Sequence, residues 1–191
     1  MKRVKKGQLG YIKYRRTFHL IFAVVLFAMA ISLYIAGIKS TGDNKNLLTI
    51  VAIVGMLPAS QSVVTCILGF RAKCCKKELY EKIEQKVDET MISLYDLYFT
   101  TYDKNYPVSH IVIKNNCLCG IMEKTKHSTQ DFEKYIEETF TRNGIKGVSV
   151  KFFECTMEEK YLNRIEELKK LENVKTEMQE DVVRLLCDIS Y

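Results

Sequence analysis

Thr17–Ile38 reads TFHLIFAVVLFAMAISLYIAGI and Leu47–Phe70 reads LLTIVAIVGMLPASQSVVTCILGF, and neither run contains Lys, Arg, Asp or Glu. Crossing a hydrocarbon core as a helix takes about 20 apolar residues, and these runs supply 22 and 24. Each is therefore expected to span a bilayer, at 17–38 and 47–70. Lys2, Arg3, Lys5, Lys6, Lys13, Arg15 and Arg16 precede the first run, and Arg71, Lys73, Lys76 and Lys77 follow the second. The connection Lys39–Asn46 carries only Lys39, Lys45 and Asp43. Basic flanks favour the cytoplasmic side, so the sequence predicts a two-helix transmembrane hairpin in the cell membrane with both termini inside.

Charge divides the chain in the same place. Residues 1–77 hold 13 Lys and Arg against 1 acid, and residues 78–191 hold 16 against 22, so nets of +12 and −6 lie behind the overall +6. The basic half should lie against anionic head groups, with Arg15, Arg16, Arg71, Lys73, Lys76 and Lys77 at the membrane surface. The acidic half makes nucleic acid an unfavoured partner. Cys66 falls in a span, and Cys74, Cys75, Cys117, Cys119, Cys155 and Cys187 fall where thiols stay reduced, so no disulfide framework is expected. Leu20–Phe27 followed by Ala28-Met29-Ala30 mimics a cleavable signal, but the apolar run continues to Ile38 and favours an uncleaved anchor.

Small residues Ala52, Gly55, Ala59 and Ser62 form a stripe on the second span that permits close helix approach, and Pro58 should kink it. Neither span carries the interior ionisable residue of a transport path, so an anchor that also dimerises is the better reading.

Beyond Lys77 the pattern predicts a cytosolic α/β (α+β) core over 78–155 and a helical segment over 156–191. A helix is expected at Glu78–Met91, where Leu79, Ile83, Val87 and Met91 recur every four residues. Strands follow at Ser93–Tyr102, Val108–Lys114 and Cys117–Lys124, with turns at Asp103–Pro107 and Asn115-Asn116. Ser128 heads a helix with Asp131 as a capping acceptor and Phe132, Tyr135, Ile136 and Phe140 buried, ending at Gly144. Gly147–Glu154 is a fourth strand. Helix resumes from Thr156, breaking near Asn173, with Thr176 and Gln179 as a capping box. The order α-β-β-β-α-β-α describes one mixed sheet with helices packed on it.

That order, with VSHIVIKNNCLCGIMEK in its middle strands, resembles the nuclease-related domain (NERD) of the PD-(D/E)XK nuclease superfamily over Glu78–Glu154. The resemblance implies a nuclease-like pocket at Ser109, His110, Met122 and Lys124. His110 and Lys124 match the family pattern. Ser109 and Met122 stand where its carboxylates would hold a divalent cation, and neither can replace a hard oxygen anion. Glu123 should point to the other side of the sheet. The resemblance therefore implies loss of the metal-dependent chemistry.

Cys117-x-Cys119, with His127 and Cys155, lacks the spacing of a structural zinc site and reads as buried strand thiols; no metal or cofactor is expected. Tyr95, Leu97 and Phe99 would share one strand face as core. The seam Tyr161, Ile165, Leu168, Leu171, Val174, Met178, Val182 and Leu185 packs on the domain or pairs with a second copy. With no complete catalytic constellation, the reading is a two-pass membrane protein presenting a non-catalytic domain to a cytosolic partner. The enzyme alternative is a tethered, divergent PD-(D/E)XK-like nuclease.

Overall fold

The computed structural model describes all residues except 1–3, 102–103, 126 and 173–176. The expected turn residue Asp103, the break at Asn173, the cap at Thr176, seam residue Val174, and Lys2 and Arg3 lie outside the described residues. The elements are α1 (Tyr11–Thr41), α2 (Leu47–Arg71), α3 (Lys77–Glu84), β1 (Ile92–Thr100), β2 (Asn105–Lys114), β3 (Cys117–Met122), α4 (Thr129–Arg142), β4 (Ser149–Glu154), α5 (Glu158–Lys169) and α6 (Glu177–Ile189). The chain divides into two compact units, Ile12–Ala72 and Met1–Tyr11 with Lys73–Tyr191.

In the first unit, helices of 31 and 25 residues reach about 46 and 37 Å at the usual rise of ~1.5 Å per residue, longer than a hydrocarbon core. Ala23, Ala30 and Gly37 on α1 and Ala52, Ala59 and Cys66 on α2 are buried at seven-residue intervals, the spacing of a close two-helix seam. Gly55, expected in that seam, is only half-buried. Asn46 caps α2 by accepting from the Thr49 amide at 2.8 Å. It also crowds Gly37, where an added Cβ would stand 2.6 Å from Asn46 Oδ1. Pro58 lies inside α2, and the Ser62 hydroxyl donates to the Pro58 carbonyl at 3.0 Å. Most large apolar side chains of both helices are exposed, Val24, Ile50 and Leu57 among them.

In the second unit, the strands lie in the order β1-β2-β3-β4. The first three pair antiparallel, and β4, reached through α4, pairs parallel to β3. Leu97, Phe99, Ile111, Leu118 and Phe152 pack beneath α4 and α6, which contribute Phe132, Ile136, Val182 and Leu186. On the opposite face Tyr95, Val112, Cys119 and Ile121 pack beneath α3 and α5, which contribute Leu79, Ile83, Tyr161 and Ile165. Burial of these two layers supplies the main folding drive. The two halves of the C-terminal seam thus cover opposite faces of their own sheet.

Several local expectations change. α3 stops at Glu84 rather than Met91, because the Asp88 carboxylate takes the Thr90 amide at 2.9 Å and closes a turn. Val87 and Met91 still reach the layer that the four-residue spacing intended. Asn105–Pro107 belong to β2 rather than to the turn before it, and β3 ends at Met122 rather than Lys124. At α4 the Ser128 hydroxyl is the acceptor, taking the Asp131 amide at 3.1 Å, while Asp131 pairs with Lys104 at 3.0 Å. Tyr95 does not share a face with Leu97 and Phe99: it joins the α3/α5 layer and they join the α4/α6 layer. Asp96 between them has φ 54°, a left-handed backbone that breaks the two-residue alternation.

Candidate functional site: a polar cluster beneath α3 and α5

Two backbone irregularities build this cluster. Asp96 turns β1 left-handed, and opposite it β2 carries a bulge between Val108 and His110. A bulge inserts one residue and re-aims its neighbours. Ser109 and His110 are both wholly buried. The His110 ring packs at a tilt against Tyr95 with centroids 4.4 Å apart, and its Nδ1 lies 2.6 Å from the Tyr161 hydroxyl of α5. Tyr95 in turn donates to Glu84 of α3 at 2.7 Å.

Burial sets the protonation of these groups. Desolvation lowers the His110 pKa to about 3 and raises that of Tyr161 well above the phenol range. His110 is therefore neutral, and a single hydrogen bond joins its Nδ1 to the Tyr161 hydroxyl. Neither His110 Nε2 nor Ser109 Oγ has a hydrogen-bond partner of good geometry among the described residues.

Asp96, wholly buried, accepts from the Cys75 amide at 2.7 Å and from the Gly10 amide at 2.6 Å. Glu123, just past β3, accepts from the Cys155 thiol at 3.6 Å and pairs with Lys73 at 3.7 Å. Burial first, then the neighbouring carboxylates, push the Cys75 and Cys155 thiols up to about 12 and about 11. Cys155 also lines an open surface depression with Lys82, Thr156 and Glu158.

The residues singled out from the sequence separate here. Ser109 and His110 come together in the bulge. Met122 is buried in the opposite layer beneath α4 and α6, and Lys124 is exposed beyond the end of β3. Glu123 faces away from Met122, as strand alternation assigned it, and on that side it reaches the Cys155 thiol and Lys73. Cys117 and Cys119 do share the α3/α5 layer. His127 instead meets Tyr106, whose ring belongs to the α4/α6 layer. No group of three or more His, Cys, Asp and Glu is arranged to hold a metal among the described residues. Arg71, Lys73, Lys76 and Lys77 are exposed, Arg15 and Arg16 half-buried. The Arg16 guanidinium lies 4.5 Å from the Phe70 ring centre.

Sequence reasoning missed Asp96, Cys75 and Tyr161 as members of one cluster. An acid flanked by Leu94-Tyr95 and Leu97-Tyr98 within a strand was the available signal, since a buried carboxylate must find donors.

No protein-family model, curated protein or solved structure matches this chain. The arrangement has to be interpreted from its own chemistry. Its Asp96 carboxylate accepts from backbone amides, its thiols are protonated and its imidazole is enclosed.

Proposed function

We propose that the chain is a two-pass membrane protein that holds a non-catalytic α/β domain at the cytosolic face of the cell membrane for a partner to bind. The observation that carries this is the contrast between the two units. α1 and α2 expose aliphatic and aromatic side chains along their length, whereas the second unit's exposed large apolar residues are Leu9, Met157 and Leu171 among those described. Such a helix pair needs a hydrocarbon solvent, and such a domain does not.

Basic residues at both outer ends support an inside placement of the termini by the positive-inside rule. Anionic head groups would attract Arg15, Arg16, Arg71, Lys73, Lys76 and Lys77, while the net −6 of residues 78–191 keeps the domain from lying on that surface. The scarcity of exposed apolar area favours a partner held through polar and charged contacts. A second copy could join through the lipid-facing sides of the helices.

The tethered, PD-(D/E)XK-like nuclease has less support. It needs Ser109, His110, Met122 and Lys124 around one phosphate, and these residues lie in two buried layers and on the surface. Affinity capture with the full chain in nanodiscs tests the reading. A stoichiometric soluble partner released by salt is expected; metal-dependent cleavage of nucleic acid, abolished by Lys124→Ala, would replace it.

A further inference from the structure

The basic leader is folded onto the domain. Gly7 accepts from the Tyr95 amide at 2.7 Å, and Lys6 Nζ donates to the Ser190 carbonyl at 2.5 Å. Gly10, which immediately precedes α1, donates to Asp96. The C-terminus covers the neighbouring stretch of the same strand, where Ser190 bridges Phe99 and the Tyr191 amide donates to Tyr98 at 2.6 Å. Leader and C-terminus together close the open edge of β1, the side of the sheet that would otherwise recruit foreign strands.

Asp96 adds something an edge cover does not require. Its two carboxylate oxygens hold two segments distant in sequence, Gly10 ahead of α1 and Cys75 between α2 and α3. We propose that Asp96 is a two-amide latch that makes docking of the leader and ordering of residues 72–76 a single cooperative event. A wholly buried carboxylate is tolerated only while donors satisfy it. When one amide leaves, the buried anion loses one of its donors, and the side chain is freer to turn outward or admit water. Either response weakens the second bond. The coupling is reciprocal, because each amide improves the site for the other. A left-handed backbone at Asp96 fits this, as a strained conformation persists only where its surroundings over-determine it.

Hydrogen exchange on the full-length protein tests the latch, comparing peptides over 5–12 and 71–77 with β2 and β3 as internal controls. Asp96→Asn keeps shape but turns one acceptor into a donor, so exchange at both peptides should rise by about tenfold or more while β2 and β3 stay protected. Gly7→Ala leaves Asp96 untouched. It sets a Cβ 2.8 Å from Leu94 Cδ2 at φ +83°, which should release the leader alone. The latch requires that peptide 71–77 accelerate in this variant too. Faster exchange of 5–12 with 71–77 unchanged would overturn the proposal, as would Asp96→Asn exchanging like wild type at both peptides. If Asp96→Asn loses protection throughout the sheet, Gly7→Ala decides the question.

Discussion

The Tyr161 hydroxyl lies 2.6 Å from His110 Nδ1, joining α5 to the bulged strand β2 inside a layer that encloses both side chains. Tyr161→Phe keeps the ring and leaves Nδ1 without its hydrogen-bond partner. The expected cost is about 1–3 kcal/mol. At about 4–8 °C per kcal/mol for a domain near this size, the loss is visible as a lower Tm. Unchanged unfolding would mean the contact contributes nothing net.

Acid should act on the same pair. His110 titrates near 3 in the folded domain and near 6.5 when unfolded, so the unfolded chain binds the proton first. The stability this represents is fully present above pH 6.5 and is lost as pH falls through the window towards 3. Its slope is about 1.4 kcal/mol per pH unit. Denaturant midpoints between pH 6.5 and 5, above the carboxylate range, isolate the effect. His110→Gln should flatten the profile there; parallel slopes would refute the assignment.

Gly120 is paired with Phe152 across β3 and β4, and a Cβ on it would stand 2.3 Å from Phe152 Cε1. Gly120→Ala should therefore destabilise by about 1–3 kcal/mol through overpacking. Combined with Phe152→Leu, the loss should be smaller than the sum of the two single changes, by about 0.5 kcal/mol or more. Simple additivity in chemical denaturation would show that the ring does not press on this position.

Lys114 is buried, and its ammonium donates to the Lys169 carbonyl at 3.2 Å, at the C-terminal end of α5. A cation there complements the partial negative charge of the helix end. Lys114→Met keeps most of the packing stem and should change stability by only about 1 kcal/mol. Lys114→Glu buries a like charge and should cost at least about 3 kcal/mol. Equal Tm values for the two variants would contradict this role.

Cys155 offers a chemical check on the polar cluster. Burial and the Glu123 carboxylate raise its pKa from 9.0 to about 11. At neutral pH that leaves about one-hundredth of the thiolate an unshifted thiol would have, and alkylation should slow in proportion. Glu123→Gln should recover part of the rate, measured by mass spectrometry of maleimide adducts. A Cys155 that reacts as fast as a free peptide thiol would be incompatible with the enclosed cluster.

Element order was readable because it rests on hydrophobic period and turn chemistry. Two charge-free runs, the apolar spacing of α4 and the alternation of β2 each express one local physical preference. The facing of residues around Ser109 and Asp96 was not readable, since a one-residue bulge and a left-handed aspartate override the two-residue period that assigns faces. That is why Tyr95 parted from Leu97. Lys124 lies beyond β3, which stops at Met122, a boundary that pattern alone does not locate, and Met122 itself faces the α4/α6 layer rather than the cluster. Docking of the leader depended on contacts such as Lys6 with Ser190, 184 residues apart, and no local pattern encodes them.

Membrane residence of the full-length chain is tested most directly by alkaline extraction of membranes from expressing cells, paired with protease treatment of intact and opened cells. The account predicts that the protein stays with the bilayer until detergent is added, and that residues 78–191 are digested only after the cells are opened. Release as a detergent-free monomer, or digestion of that tail from outside, would contradict it.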